Sequence, residues 1–170
     1  MKNNIILIGM MGCGKTTVGK ELAEVLSEYI YIDIDNEIEK STQQKISDIF
    51  LRHGESFFRE LESEKIKKFC NNNKKQIISM GGGAYEDEQN RKNMQNNGIV
   101  IYLKTSPQEI YNRIKTETHR PLLRKDFSIE KISDIMTRRS KNYKKADIII
   151  ETDNKTPKDI AEEIKGAING

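Results

Sequence analysis

Short runs of consecutive apolar residues alternate along the chain with longer stretches in which apolar residues recur every three or four positions. The continuous runs are typical of strands that are buried on both faces of a parallel sheet. The periodic stretches predict amphipathic helices, and the alternation of the two predicts a three-layer α/β fold. The predicted strands are 5–8, 30–32, 77–79, 99–103 and 148–150, and the predicted helices are 15–26, 46–52, 57–69, 86–95, 107–114, 129–141 and 157–168.

Composition indicates one domain that spans residues 1–170, because no linker, repeat or low-complexity tract divides the chain. The net charge of +3 is small and the charges alternate in sign, so we expect no nucleic-acid partner. No apolar stretch has the length of a membrane span, so we expect no membrane partner. The two cysteines, Cys13 and Cys70, make no disulfide framework, which favours a reduced, cytoplasmic protein.

The segment between the first predicted strand and the first predicted helix carries the clearest chemical signal. Residues 9–16 read GMMGCGKT and fit the P-loop pattern G-x-x-x-x-G-K-[ST]. Backbone N–H groups of such a loop and the helix N-terminus bind phosphate oxygens. Lys15 is expected to reach the β- and γ-phosphates, and the Thr16 hydroxyl to hold Mg²⁺. The pattern therefore predicts nucleotide binding and leaves the reaction open.

Two aspartates, Asp33 and Asp35, follow the second predicted strand. If the chain is extended there, both carboxylates face the same side, near the mouth of the P-loop. Asp33 would then bind a water of the Mg²⁺ shell, and Asp35 would orient a hydroxyl nucleophile. Ser79 stands where many P-loop proteins have the Walker B aspartate, and because this chain lacks that aspartate, Asp33 is the better metal candidate. The alternative is that the aspartates only cap the next helix.

Three glycines in a row, residues 81–83, follow the third predicted strand. They suit the close approach of a ligand to the backbone, although a flexible turn has the same composition. Arg59 and Arg139 lie in predicted helices, where a lone arginine is usually a surface residue. If both reached one cleft, their planar guanidinium groups would bind a carboxylate substrate. Segment 115–127 lies between two helices and is predicted to be a lid, on which Arg120 would stabilise the transferring phosphoryl group.

Six motifs follow one another along nearly the whole chain: GMMGCGKTT (9–17), DIDNEIE (33–39), ISDIFLRHGESFFRELE (46–62), SMGGGA (79–84), HRPLL (119–123) and RRSKNYKKAD (138–147). In their order and spacing, these motifs resemble those of the shikimate kinase family. The resemblance implies a P-loop NTPase fold of the nucleoside-monophosphate-kinase type, with a five-stranded parallel sheet of order 2-3-1-4-5 and a lid. It further implies transfer of the γ-phosphoryl group of ATP to the 3-hydroxyl of shikimate, in a monomer that uses Mg²⁺.

Site residues can be carried over from the resemblance by motif. Region 33–62 would bind shikimate, and the metal residues would be Thr16 and Asp33. The catalytic residues would be Lys15, Asp35 and Arg120. The ATP residues would be Gly12, Cys13, Gly14, Lys15, Thr16, Thr17, Arg113, Arg120, Lys155 and Pro157, and the shikimate residues Asp35, Arg59, Gly81, Gly82, Gly83 and Arg139.

One departure from the family pattern and several alternative functions stay open at this point. Gln43 stands after the Asp33–Asp35 motif where the family usually has a glycine, and a left-handed conformation there would cost glutamine roughly 1 kcal/mol. Gluconate kinase shares the P-loop, and a nucleotide kinase would need a pocket for a base and a second phosphate. A P-loop switch, or a partner protein without catalytic activity, would bind nucleotide without turning over a small acid.

Overall fold

The structure is a computed structural model that describes residues 3–115 and 128–170. The predicted lid lies outside the described residues, except for Lys115, and so does Arg120. The strands are β1 (Asn4–Ile8), β2 (Ile30–Asp33), β3 (Gln76–Ser79), β4 (Gly98–Lys104) and β5 (Ile148–Glu151). The helices are α1 (Lys15–Val25), α2 (Ile34–Thr42), α3 (Ile46–Cys70), α4 (Glu88–Asn97), α5 (Pro107–Ile114), α6 (Ile129–Tyr143) and α7 (Pro157–Asn169), with a short 3₁₀ helix at Ala84–Glu86.

The five strands form one parallel sheet in the order β2-β3-β1-β4-β5, which confirms the order that the family resemblance implies. In this register Ser79 lies opposite both Leu7 of β1 and Asp33 of β2. The carboxyl ends of these three strands therefore meet at one edge of the sheet, where ligands of such folds bind.

Helices cover both faces of the sheet, as the predicted three-layer architecture requires. Side chains of β1 alternate between the faces: Ile6 and Ile8 pack in the core beneath α2, α3 and α4, whereas Ile5 and Leu7 pack beneath α1 and α7. A smaller core between α5 and α6 includes Met10 of the P-loop. The loop is therefore supported from below by packed apolar side chains.

Helix α2 differs from the sequence-based expectation. The extended conformation that we predicted for residues 33–35 is wrong, because β2 ends at Asp33 and α2 begins at Ile34. The Asp33 carboxylate caps this helix by accepting a hydrogen bond of 3.2 Å from the Asn36 N–H. Ile34 and Ile38 are fully buried one turn apart, and this burial stabilises a helix too short for its period to be visible in the sequence. The capping role of Asp33 is thus real, and Asp35 lies in the first turn of the helix.

Two backbone features shape the segment that follows. Gln43 ends α2 in the left-handed conformation, with φ 55° and ψ 28°, at the position where we expected a strained glutamine. The helices predicted at 46–52 and 57–69 form the single element α3, which is kinked at Gly54 (φ 83°, ψ 175°). The second half of α3 carries Arg59 and Glu62 toward the carboxyl edge of the sheet.

Candidate active site

The P-loop joins the end of β1 to the first turn of α1. Gly12 has a φ of 77°, and a Cβ atom there would lie 2.7 Å from Cγ1 of Ile114, so both the backbone and the packing require glycine. Gly14 is the N-cap of α1 in the left-handed conformation, and no side chain at this position satisfies the first N–H groups of the helix. These N–H groups point out of the helix N-terminus, where the positive end of the helix dipole lies.

Lys15 folds back over the loop. Its ammonium group donates to the carbonyl oxygens of Gly9 at 2.8 Å and Met10 at 3.0 Å, and it lies 3.6 Å from Sγ of Cys13. An ammonium group has three hydrogens, and these contacts direct all three toward the loop. The positive charge is thus held at the loop's centre, where a phosphate group would sit.

Oxygen-bearing side chains gather beside the first turn of α1. The Thr16 hydroxyl donates to Oδ2 of Asp33 at 3.1 Å, and the Ser79 hydroxyl donates to the backbone carbonyl oxygen of Lys15 at 3.1 Å. Hydroxyl and carboxylate oxygens are ligands that Mg²⁺ prefers. This donor set fits a magnesium ion. Among the described residues, no group of three or more His, Cys, Asp or Glu side chains could hold a metal ion.

An ion pair between a buried carboxylate and a partly exposed guanidinium lies beside the loop that follows β3. Glu62 is 1% exposed, and its Oε2 atom lies 2.7 Å from Nη1 of Arg59. Burial raises the pKa of the Glu62 carboxyl, although the charge of Arg59 opposes this effect. Burial by itself would lower the pKa of Arg59, but Glu62 and the more exposed Glu55 raise it. Arg59 is therefore a fixed cation whose orientation depends on Glu62.

The three glycines admit these charged side chains to the loop after β3. A Cβ atom on Gly83 would lie 2.8 Å from Nη2 of Arg59, and one on Gly81 would lie 2.5 Å from Oε1 of Glu62. The Gly82 carbonyl accepts hydrogen bonds from Nη1 of Arg139 at 3.0 Å and from another side chain of α6. Close approach, rather than an unusual backbone conformation, therefore explains the glycines, and it brings two guanidinium groups to one loop.

The P-loop, the oxygen-bearing side chains beside α1, the Arg59–Glu62 pair and the glycine loop all contribute to the lining of one cavity of about 1410 Å³. Small-molecule pockets commonly measure about 300–1,000 Å³, so this one has room for two ligands. Asp35 lines it near Gly81, and a Cβ atom on that glycine would lie 3.4 Å from Oδ1 of the aspartate. The predicted site residues that line it are Gly12, Cys13, Gly14, Lys15, Thr16, Thr17, Asp33, Asp35, Arg59, Gly81, Gly82, Gly83, Arg113, Arg139, Lys155 and Pro157, which are all of those within the described residues.

Two basic side chains, Arg113 and Lys155, line another part of the same cavity. Arg113 donates to Oε1 of Glu109 at 2.9 Å and to the Cys13 carbonyl oxygen at 3.2 Å. Lys155 is paired with Glu163 at 2.6 Å, close to the Pro157 start of α7. Cys13 itself is 1% exposed, so it could serve a ligand through its backbone.

Sequence reasoning assigned no individual role to three residues that the structure places at the site. Glu62 could have been found as the i+3 partner of Arg59 on one helix. Tyr31 lies two residues before Asp33 on β2, a spacing that puts both side chains on one face of the strand. Its hydroxyl is 3.3 Å from Oδ2 of Asp33 and 3.1 Å from Oγ of Ser79, and burial raises its pKa to about 12. Tyr143, on α6, donates to the Gly82 carbonyl oxygen at 2.6 Å, and no sequence signal indicates this contact.

The fold and the P-loop define a P-loop kinase of the nucleoside-monophosphate-kinase type. The family model of shikimate kinase matches residues 11–169. The shikimate kinase of Persephonella marina is 45% identical over 165 residues, which cover 97% of this chain and 98% of that protein. A solved structure, the shikimate kinase from Acinetobacter baumannii in complex with shikimate, is 36% identical with a TM-score of 0.92 and covers 98% of this chain and 93% of that one. The chain belongs to the shikimate kinase family.

A further relative of this chain is also a shikimate kinase. The shikimate kinase of Thermodesulfovibrio yellowstonii is 42% identical over 161 residues, which cover 95% of this chain and 92% of that protein.

Among the described residues, no helix is both long and apolar enough to cross a membrane.

Proposed function

We propose that this chain transfers the γ-phosphoryl group of ATP to the 3-hydroxyl of shikimate, giving shikimate 3-phosphate and ADP. The observation that carries the proposal is the convergence of Arg59 and Arg139 on the glycine loop, in the cavity that the P-loop also lines. A phosphate-binding loop and a carboxylate-binding pair in one cavity suit a kinase whose acceptor is a small acid.

In this proposal, backbone N–H groups of residues 12–17 hold the phosphates of ATP. Lys15 neutralises charge on the β- and γ-phosphates, and it exchanges its loop carbonyls for phosphate oxygens when the nucleotide binds. Arg113, Lys155 and Pro157 flank the adenine. Arg120, which lies outside the described residues, is assigned from its motif to stabilise charge on the transferring group, and segment 115–127 is assigned as the lid.

Thr16 would hold Mg²⁺ directly, and Asp33 would hold it through water. The support is the set of oxygen donors that meets beside the first turn of α1. When bound, the ion neutralises charge on the phosphate oxygens.

Shikimate would lie between α3, α6 and the glycine loop, within the binding region 33–62 and its neighbours. Arg59 and Arg139 bind its carboxylate, and residues 81–83 allow its ring to approach the backbone. Asp35 orients the 3-hydroxyl toward the γ-phosphorus. A bond forms between the 3-oxygen and phosphorus as the bond to the leaving oxygen of ADP breaks, and Asp35 accepts the hydroxyl proton.

An assay of ADP release tests the function. ADP formation from Mg²⁺ and ATP is measured with shikimate, with gluconate and without an acceptor, and the product is identified by mass spectrometry. We expect release that depends on shikimate and a product that gains one phosphoryl group. If ADP is released at the same rate with and without shikimate, the protein is an ATPase or uses another acceptor. If ATP binds without turnover, the result supports a P-loop switch.

The assembly state and compartment stay predictions. We propose a cytoplasmic monomer without nucleic-acid or membrane partners. Size-exclusion chromatography with light scattering tests the first point, since a monomer has a mass of 19.6 kDa.

A further inference from the structure

Tyr31 makes a set of contacts that the proposed reaction does not use directly. Its ring lies on β2, and its hydroxyl oxygen lies 3.3 Å from Oδ2 of Asp33 and 3.1 Å from Oγ of Ser79. It thus touches two of the three oxygen-bearing side chains of the proposed magnesium site. The third, Thr16, is bonded to the same Oδ2 atom of Asp33.

The directions of the hydrogen bonds show what the tyrosine supplies. The Ser79 hydroxyl gives its hydrogen to the carbonyl oxygen of Lys15, and the Thr16 hydroxyl gives its hydrogen to Asp33. A carboxylate only accepts. The hydroxyl hydrogen of Tyr31 is therefore shared between Asp33 and Ser79, and Tyr31 acts as the donor to both. Together with Thr16, it holds the Asp33 carboxylate in one orientation.

Helix α1 has a gap that fits this ring. A Cβ atom on Gly19 would overlap Cε2 of Tyr31 and would lie 3.2 Å from Oγ of Ser79. Any side chain at this position would push the ring away from the helix. Because position 19 is a glycine, the Tyr31 ring can pack directly against α1, and this places its hydroxyl at the site. Packing as well as hydrogen bonding therefore fixes the orientation of Tyr31.

We infer that Tyr31 is a positioning residue of the magnesium–nucleotide site, which acts through Asp33 and Ser79 without touching the nucleotide. The inference rests on the proposed function, because it assumes that Thr16 and Asp33 hold Mg²⁺. Residues that orient metal-binding groups from behind commonly change metal affinity about 10- to 100-fold when they are altered. The contacts of Tyr31 are long and shared, so the lower end of that range applies.

The test removes one oxygen atom and measures metal affinity. In Tyr31→Phe, ADP binding is measured by calorimetry without Mg²⁺ and across a Mg²⁺ titration, and Mn²⁺ bound to the ADP complex is measured by electron paramagnetic resonance. We expect the affinity of the ADP complex for either metal ion to fall about tenfold. The affinity for metal-free ADP should stay within twofold of that of the unmodified protein. The melting temperature should stay within a few degrees of it.

Tyr29→Phe is the matched control, since it removes the same oxygen two residues earlier on the same segment. The ammonium group of Lys75 lies over the Tyr29 ring, 5.6 Å from its centroid, and the Tyr29 hydroxyl has no hydrogen bond to any described residue. We expect this variant to bind Mg²⁺ like the unmodified protein. In an Asp33→Asn background, Tyr31→Phe should have little further effect, because the residue through which it acts has already been altered.

Each result decides the inference. Unchanged metal affinity in Tyr31→Phe would overturn it, as would an equal loss of metal-free ADP binding or an equal effect of Tyr29→Phe. If the unmodified protein binds ADP equally well with and without Mg²⁺, the proposed magnesium site fails and the inference fails with it. If the protein shows the metal effect but does not phosphorylate shikimate, the proposed acceptor fails and the inference about Tyr31 stands.

Discussion

Replacing Arg59 by methionine should destabilise the protein in a way that depends on pH. Arg59→Met keeps much of the side-chain volume but leaves the buried Glu62 carboxylate without its cation. At an effective dielectric constant of about 20, unit charges about 4 Å apart attract each other by about 4 kcal/mol. Because 36% of the Arg59 side chain is exposed, solvent screening lowers the expected loss to about 2 kcal/mol in the free energy of unfolding at pH 7.

The sign of the pH dependence follows from the pKa of Glu62. Burial raises this pKa above the ordinary value of 4.5, and the loss of the Arg59 charge raises it further. A carboxyl group whose pKa is higher in the folded state destabilises the fold fully at pH values above that pKa, and this cost is lost as the pH falls to the ordinary value of the unfolded chain. The difference in stability between Arg59→Met and the unmodified protein should therefore be largest at pH 7 and shrink toward pH 4.5.

Urea unfolding at both pH values, with four proteins, measures the effect. The set contains the unmodified protein, Arg59→Met, Glu62→Gln and the double variant, and the two single changes should couple by about 1–2 kcal/mol. The double variant should be more stable than Arg59→Met at pH 7, since it has no unpaired buried charge. The reasoning is refuted if Arg59→Met is equally destabilised at both pH values, or if adding Glu62→Gln recovers nothing.

The remaining predictions concern activity. Lys15→Ala should lower kcat at least about 100-fold, measured by coupled ADP release, because the positive charge at the phosphates is lost. Asp35→Asn should reduce turnover by a similar factor while the calorimetric affinity for ATP stays within twofold, and an equal loss of ATP binding would contradict the assigned role. Gly83→Ala should raise the KM for shikimate about tenfold, because the new methyl group displaces the Arg59 guanidinium. Gly166→Ala is its control: a Cβ atom there has no neighbour within 4 Å, so KM should not change and stability should rise by about 1 kcal/mol.

The parts of the site that follow strand ends could be predicted from the sequence. The P-loop pattern fixes its own conformation, and the parallel sheet brings Asp33, Ser79 and the glycine loop to one edge. The apolar pattern of the sequence does not predict helix α2, because only Ile34 and Ile38 mark its buried face. Local capping and tertiary burial decide the conformation of this segment. The two roles of Asp33 that the sequence offers as alternatives coexist, because one carboxylate oxygen accepts from the helix N–H group and the other accepts from the Thr16 hydroxyl.

Contacts between distant side chains could not be predicted in the same way. The sequence shows that Arg59 and Glu62 are one helical turn apart, but the burial of Glu62 depends on the loop that packs over it from β3. The contact of Tyr143 with Gly82 joins residues 61 positions apart. Only the folded arrangement of α6 against the sheet explains it.

The position of β1 at the centre of the sheet has a consequence for synthesis on the ribosome. The strand that leads into the P-loop emerges before both of its partners, which are residues 76–79 of β3 and 98–102 of β4. A nascent chain that has not yet released those residues cannot complete the phosphate-binding loop, however intact its local sequence. Such distant pairing also slows folding. Nucleotide can therefore stabilise the nascent protein only after residues 98–102 have left the ribosome.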